Sequence, residues 1–249
     1  MNRIQPGPPQ RKVLPLTESA SEEISAGQFM PARRGMHTAL FAPLHYEPNY
    51  AYPLLVWLHG PGDDENQLKR IMPLVSLRNY VAVAVRGPSQ AHRAGGKPGF
   101  TWTRHRAEAA LADERVFEAI EIAQARFRIS PGRVFLAGFD CGGTMAFRLA
   151  MDHPHHFAGV LSLCGEFPAG RTPLGRLAEA RRLPIFLCCG RDSRKYPPTA
   201  VCDHLRLFHS AGMQVALRQY PCGHEIAPAM LADMDRWIME QLAGAAQIA

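Results

Sequence analysis

Three residues of this chain have the types and spacing for hydrolytic chemistry: Asp140, Asp192 and His224. Asp140 lies between Gly138 and Gly142 in the run Val134-Phe135-Leu136-Ala137-Gly138-Phe139-Asp140-Cys141-Gly142-Gly143-Thr144-Met145-Ala146. An apolar stretch stops at a glycine, turns sharply and enters a helical segment. Such a strand–turn–helix presents one side chain at its tip, and small residues two before and two after it let strand and helix approach closely. Asp192 follows Gly190, and His224 follows Gly223. In that order they read as a presented attacking group, an acid that orients an imidazole, and an imidazole that moves a proton. Asp140 is thus the candidate nucleophile, His224 the base and Asp192 its orienting partner.

The elements that must hold these residues can be read from apolar runs. Leu54 to Leu58 and Tyr80 to Val85 are continuous and fit strands buried on both faces of a parallel sheet. Phe157 to Leu163, Pro184 to Cys189 and Gln214 to Tyr220 extend the set, and Thr38 to Pro43 reads as an edge strand stopped by its proline. Helices are expected over Glu65 to Leu77, Ala107 to Phe127 and Pro228 to Leu242, and residues 89 to 105 are expected to form a loop. Strands alternating with helices predict an α/β fold with a mostly parallel, doubly wound sheet. Ligands bind beyond the carboxyl ends of such strands, where all three candidates fall.

Composition narrows the function classes. The chain has 249 residues, 47% hydrophobic and 20% charged, enough for one large domain with its own core. Residues 1 to 33 contain Pro6, Pro8, Pro9 and Pro15 and then a Ser/Glu-rich patch, which predicts a loosely docked N-terminal extension before a domain over 34 to 249. The net charge of +6 is scattered, with no basic run interleaved with aromatics, so nucleic acid is not an expected partner. No stretch is long and apolar enough for a membrane span. Six cysteines at strand-like positions predict free thiols in a reducing cytoplasm. Cys164, Cys189 and Cys222 fall near strand ends, but no Cys-x-x-Cys pair supports a metal, and neither metal nor cofactor is expected. His153, His155 and His156 read as a helix-end cluster. A small molecule is the expected partner.

Four segments together carry a family resemblance: Leu58-His59-Gly60-Pro61-Gly62-Asp63, Gly138 to Gly143, Gly190-Arg191-Asp192 and Gly223-His224-Glu225. Their order and content resemble the signature segments of the carboxylesterase/phospholipase-type α/β-hydrolases, over roughly residues 36 to 243. The resemblance implies an α/β-hydrolase fold and an Asp140-His224-Asp192 triad. It also implies an oxyanion hole drawn from Cys141 and the Pro61-Gly62 corner, with His59 and Trp102 near the substrate pocket. Two departures bear on chemistry. The family's elbow reads Gly-x-Ser-x-Gly, whereas this chain has Asp140, and a carboxylate is a poor nucleophile toward an ester carbonyl. The family takes an oxyanion donor from the residue after His-Gly, and here that residue is Pro61, which has no N–H. Losing one such donor costs about a hundred- to a thousand-fold in rate.

An Asp–His–Asp set also resembles the haloalkane dehalogenases and epoxide hydrolases, whose elbow Asp attacks an sp³ carbon. Those families insert a cap domain where this chain has only the short Cys164 to Leu183 segment, so no cap is expected. Three readings therefore stand: a hydrolase using Asp140, a catalytically silent fold kept for binding, and water activation by His224 alone.

Overall fold

The computed structural model describes residues 29–31, 37–92, 96, 98–103, 105–169 and 175–246. Its strands are β1 (Phe29–Pro31), β2 (Thr38–Phe41), β3 (Tyr52–Leu58), β4 (Val81–Val85), β5 (Ser89–His92), β6 (Pro98–Thr101), β7 (Ile129–Phe139), β8 (Gly159–Leu163), β9 (Ile185–Gly190) and β10 (Val215–Tyr220). The helices are α1 (Leu68–Val75), α2 (Arg106–Arg126), α3 (Cys141–Asp152), α4 (Leu177–Ala180), α5 (Pro198–Ser210) and α6 (Pro228–Ala246). Eight strands form one sheet in the order β1-β2-β4-β3-β7-β8-β9-β10. The pairs from β4 across to β10 are parallel, and β1–β2 and β2–β4 are antiparallel.

Every residue of β3, β4, β8 and β9 is buried, as continuous apolar runs require when helices cover both faces. Alternate side chains divide between two cores. Leu54, Val56 and Leu58 of β3 point toward Val116 and Ile120 of α2, Phe147 of α3 and Phe208 of α5. Leu55 and Trp57 point the other way, toward Ile71 and Met72 of α1 and Met230, Trp237 and Ile238 of α6. The fold is the expected doubly wound α/β sheet.

Several elements differ from the sequence expectation. The Glu65 to Leu77 segment is helical as expected but opens with a 3₁₀ turn, Glu65–Gln67, capped by Asp64, before α1 carries it to Val75. β2 is not the edge strand, because β1 pairs along it. β1 itself falls within the expected N-terminal extension, most of which lies outside the described residues. The 89 to 105 loop contains an antiparallel hairpin, β5–β6. No hydrophobic alternation announces it. It is held instead by the chain it lies against, where the Gly62 N–H donates to the Phe100 carbonyl and the Phe100 N–H to the Asp63 carbonyl, both at 2.8 Å.

Close approach at the β7–α3 junction depends on absent side chains. A Cβ on Gly142 would lie 2.3 Å from the Leu58 carbonyl oxygen, and one on Gly138 2.5 Å from the Gly142 carbonyl carbon. Both contacts are backbone and have little room to yield. Gly142→Ala is therefore expected to destabilise the fold by about 1–3 kcal/mol, as overpacking does. Urea denaturation measures it, and an unchanged midpoint would show that strand and helix can separate freely.

Candidate functional site

Asp140 sits between β7 and α3 with φ 52 and ψ −118, a backbone conformation that residues with a Cβ rarely adopt. Two backbone bonds hold it there. Its N–H donates to the Leu163 carbonyl and its carbonyl accepts from the Thr144 N–H, each at 2.9 Å. The side chain is only 9% exposed, so its charge needs partners. Two converge on the same oxygen: Lys195 Nζ lies 2.5 Å and His224 Nε2 3.0 Å from Asp140 Oδ2. Burial pushes the Asp140 carboxyl up, and its close polar contacts with His224 and Lys195 outweigh it, so the carboxyl lies below its ordinary value.

His224 comes from the loop after β10, and Phe139 packs beside its ring at 5.7 Å between centroids. Its Nδ1 lies 2.9 Å from Ser193 Oγ, which also accepts the Tyr196 N–H at 3.0 Å. Ser193, not Asp192, therefore occupies the orienting position. The physical reason lies in the backbone. The Arg191 N–H donates to the Tyr220 carbonyl at 2.7 Å and the Asp192 N–H to the Cys222 carbonyl at 3.0 Å, prolonging the β9–β10 pairing. Asp192 is left facing outward, its side chain 66% exposed and 3.9 Å from Arg191 Nε. The chain then turns, with the Ser193 N–H on the Gly190 carbonyl, and buries Ser193.

This arrangement sets the tautomer of His224. A neutral imidazole carries one N–H, and its place is assigned from the partners of both nitrogens. The Nε2–Oδ2 approach is bent from hydrogen-bond alignment and acts as an electrostatic contact. A carboxylate 3.0 Å from Nε2 electrostatically favours the proton on that nitrogen, which leaves Nδ1 to accept from the Ser193 hydroxyl. A triad base needs the reverse, with Nε2 open toward the nucleophile.

The oxyanion corner is also altered. Pro61 has no N–H, and the Gly62 N–H is committed to Phe100. The Gly60 N–H lies on Gln67 Oε1 at 3.3 Å, and the Trp102 indole N–H donates to the His59 carbonyl at 2.9 Å. Cys141 opens α3, where the first backbone N–H groups have no acceptor within the helix. Burial pushes its thiol up, and the sulfur lies 3.4 Å from Thr101 Oγ1.

A cavity of about 330 Å³ opens beside the elbow. Trp102 lines it, together with Asp140, Cys141, Lys195 and His224. His59 does not. It is fully buried beneath the corner, accepting the Gly87 N–H on Nε2 at 2.8 Å while Nδ1–H reaches the Gly60 carbonyl at 2.7 Å. Burial holds its pKa below the ordinary imidazole value, as suits a neutral brace. All six cysteines are free thiols, and burial pushes Cys164 up to about 12. Cys188 and Cys189 fall in opposite cores, and among the described residues no group of three or more His, Cys, Asp or Glu could hold a metal. His153 pairs with Asp113 at 2.8 Å and His155 with Glu179 at 2.9 Å, and none of the four lines the cavity.

Sequence reasoning missed Lys195 and Ser193. One signal was available for Lys195: the chain has only Lys12, Lys69, Lys97 and Lys195, and the last lies three residues past Asp192.

A parallel sheet wound by helices on both faces, with its strained turn at the end of a central strand, defines an α/β-hydrolase fold. Comparison with known proteins narrows this. The sequence profile of the phospholipase/carboxylesterase family matches residues 47–242, and the chain belongs to that family. NocK of Nocardia uniformis subsp. tsuyamanensis is 31% identical over 183 residues, 72% of this chain but only 50% of NocK, so the chain spans about half that relative's length. The carboxylesterase from Mesorhizobium loti superposes with a TM-score of 0.69 at 18% identity, covering 85% of this chain and 98% of that one. Acyl-protein thioesterase 2 of Zea mays gives 0.63 at 18% identity, covering 82% and 98%. At such identities the two structures speak for the fold alone. Among the described residues, no helix is long and apolar enough to cross a membrane.

The Asp140 pairing has a pH signature. A carboxyl whose folded pKa lies below its unfolded value of about 3.9 contributes stability that is complete above that value. That stability is lost as pH falls through the lower, folded value. The stability advantage of wild type over Asp140→Asn is therefore expected to be constant near neutrality and to vanish in acid. Urea denaturation across that range measures it, and a difference that ignores pH would mean the carboxylate is not the charged partner.

Proposed function

We propose that this family member no longer cleaves esters by the serine route and uses its elbow cavity to bind a small molecule. One observation carries the reading: both Lys195 Nζ and His224 Nε2 fall on Asp140 Oδ2. An ion-paired carboxylate is a weak nucleophile. The imidazole proton it attracts stands where a base should be open, which counts against His224 activating water as well as against the serine route. The oxyanion corner supports the same reading, since its Pro61 and Gly62 positions offer no donor to a developing charge. The proposed compartment is the reducing cytoplasm, supported by six free thiols.

Wild type is expected to hydrolyse p-nitrophenyl acetate no faster than its His224→Ala variant. Asp140→Ser, which restores the family residue, is expected to stay close to that background because the Gly62 N–H remains on Phe100. Clear turnover in wild type that depends on His224 would overturn the proposal.

A second reading is favoured by the 3.0 Å Asp140–His224 contact, which keeps a carboxylate and an imidazole together at the elbow. Here Asp140 displaces a leaving group from an sp³ carbon to form an alkyl ester. Water then attacks the ester carbonyl, releasing an alcohol and leaving one water oxygen on the carboxylate. Single turnover of a reactive alkyl halide or epoxide in ¹⁸O-water tests it by mass spectrometry of the Asp140 peptide. The binding reading expects no label, and incorporation would establish the second.

A further inference from the structure

The lining of the elbow cavity mixes charges in a way that restricts its occupant. Two acids, Asp140 and Glu166, and three basic side chains, Lys195, Arg148 and His224, border the same space as the apolar surfaces of Trp102 and Met145. The Asp140–Lys195 pair has a definite orientation within it. The carboxylate is at the sheltered floor, 9% exposed, and the lysine side chain, 56% exposed, comes in from the rim. Lys195 thus already shows an alkylammonium seated on Asp140.

We propose that the cavity binds a zwitterionic small molecule of the amino-acid class, its ammonium on Asp140 and its carboxylate on Lys195. The inference rests on the reading of the elbow as a binding site. Charge balance selects the ligand. A simple amine taking Asp140 would displace Lys195 and give it nothing in exchange. A simple carboxylate drawn to Lys195 would meet Asp140 beside it and strip that buried charge of one of its two partners. A zwitterion exchanges one ion pair for two and leaves neither Asp140 nor Lys195 uncompensated. Ion pairs sheltered from water are also stronger than those on an open surface, which rewards a ligand that reaches the floor. Trp102 and Met145 offer the ligand's side chain an apolar wall.

The lysine can move aside because its charge is already half in water at the rim. Asp140 cannot, because the strained turn and its backbone bonds fix it. The floor charge is therefore the fixed reference of the site, and the rim charge adjusts to the ligand.

Isothermal titration calorimetry on the full chain tests the proposal with a panel of free L-amino acids. Each is compared with the amine lacking its carboxylate and the acid lacking its ammonium. At least one amino acid is expected to bind, with both counterparts weaker by about tenfold or more, as loss of a charge-assisted hydrogen bond implies. Asp140→Asn and Lys195→Met should each weaken that binding by a similar factor, with circular dichroism confirming that both variants are folded. An amine or acid that binds as tightly as its parent amino acid overturns the proposal, as does absence of binding across the panel. The p-nitrophenyl acetate assay on the same samples separates the two levels. His224-dependent turnover removes the binding reading itself, whereas no turnover together with no amino-acid binding removes only the ligand class.

Discussion

A buried carboxylate must find compensating charge, and the rim of this molecule is arranged around that need. Asp140 is held at a turn that few side chains tolerate, with almost no access to water. Leaving it unpaired would cost several kcal/mol or force it to take up a proton. The loop after β9 meets the need with Lys195 and the loop after β10 with His224. These are the two loops from which the sequence predicts an orienting acid and a base. Where serine would be expected there is a negative charge, and Lys195 and His224 answer it.

The consequence for His224 is a reversal of polarity. In a serine triad the carboxylate lies on the Nδ1 side and leaves Nε2 open. Here the carboxylate lies on the Nε2 side, and Ser193 takes the Nδ1 side with a neutral hydroxyl. The same ring at the same corner of the fold thereby faces a charge at Nε2 where a triad would leave that nitrogen open. The family likeness in sequence and the proposed change in chemistry are compatible because they concern different atoms. One fixes where the ring stands, the other where its proton sits.

Much of the architecture was legible in the sequence. The buried strands announce themselves as unbroken apolar runs, and the elbow by its glycines, whose spacing is dictated by backbone contacts that leave no space for a Cβ. Asp140 and His224 could be paired from chain order alone. Asp192 was misplaced by a single residue, because which of two neighbours faces inward depends on the hydrogen bonds between the chain ends of β9 and β10, and no property of either side chain reveals them. Lys195 escaped notice because a lone lysine in a basic loop looks like any solvated charge. The β5–β6 hairpin escaped for a related reason: its stability comes from a partner strand segment far away in sequence and not from its own pattern.

That hairpin ties the corner to a segment remote from the elbow, because the Gly62 amide is engaged by Phe100. Changing Asp140 to serine would leave that bond in place, and freeing Gly62 would leave the carboxylate where it is. On the proposed binding reading, elbow and corner are two separate obstacles to ester chemistry, and removing one leaves the other standing.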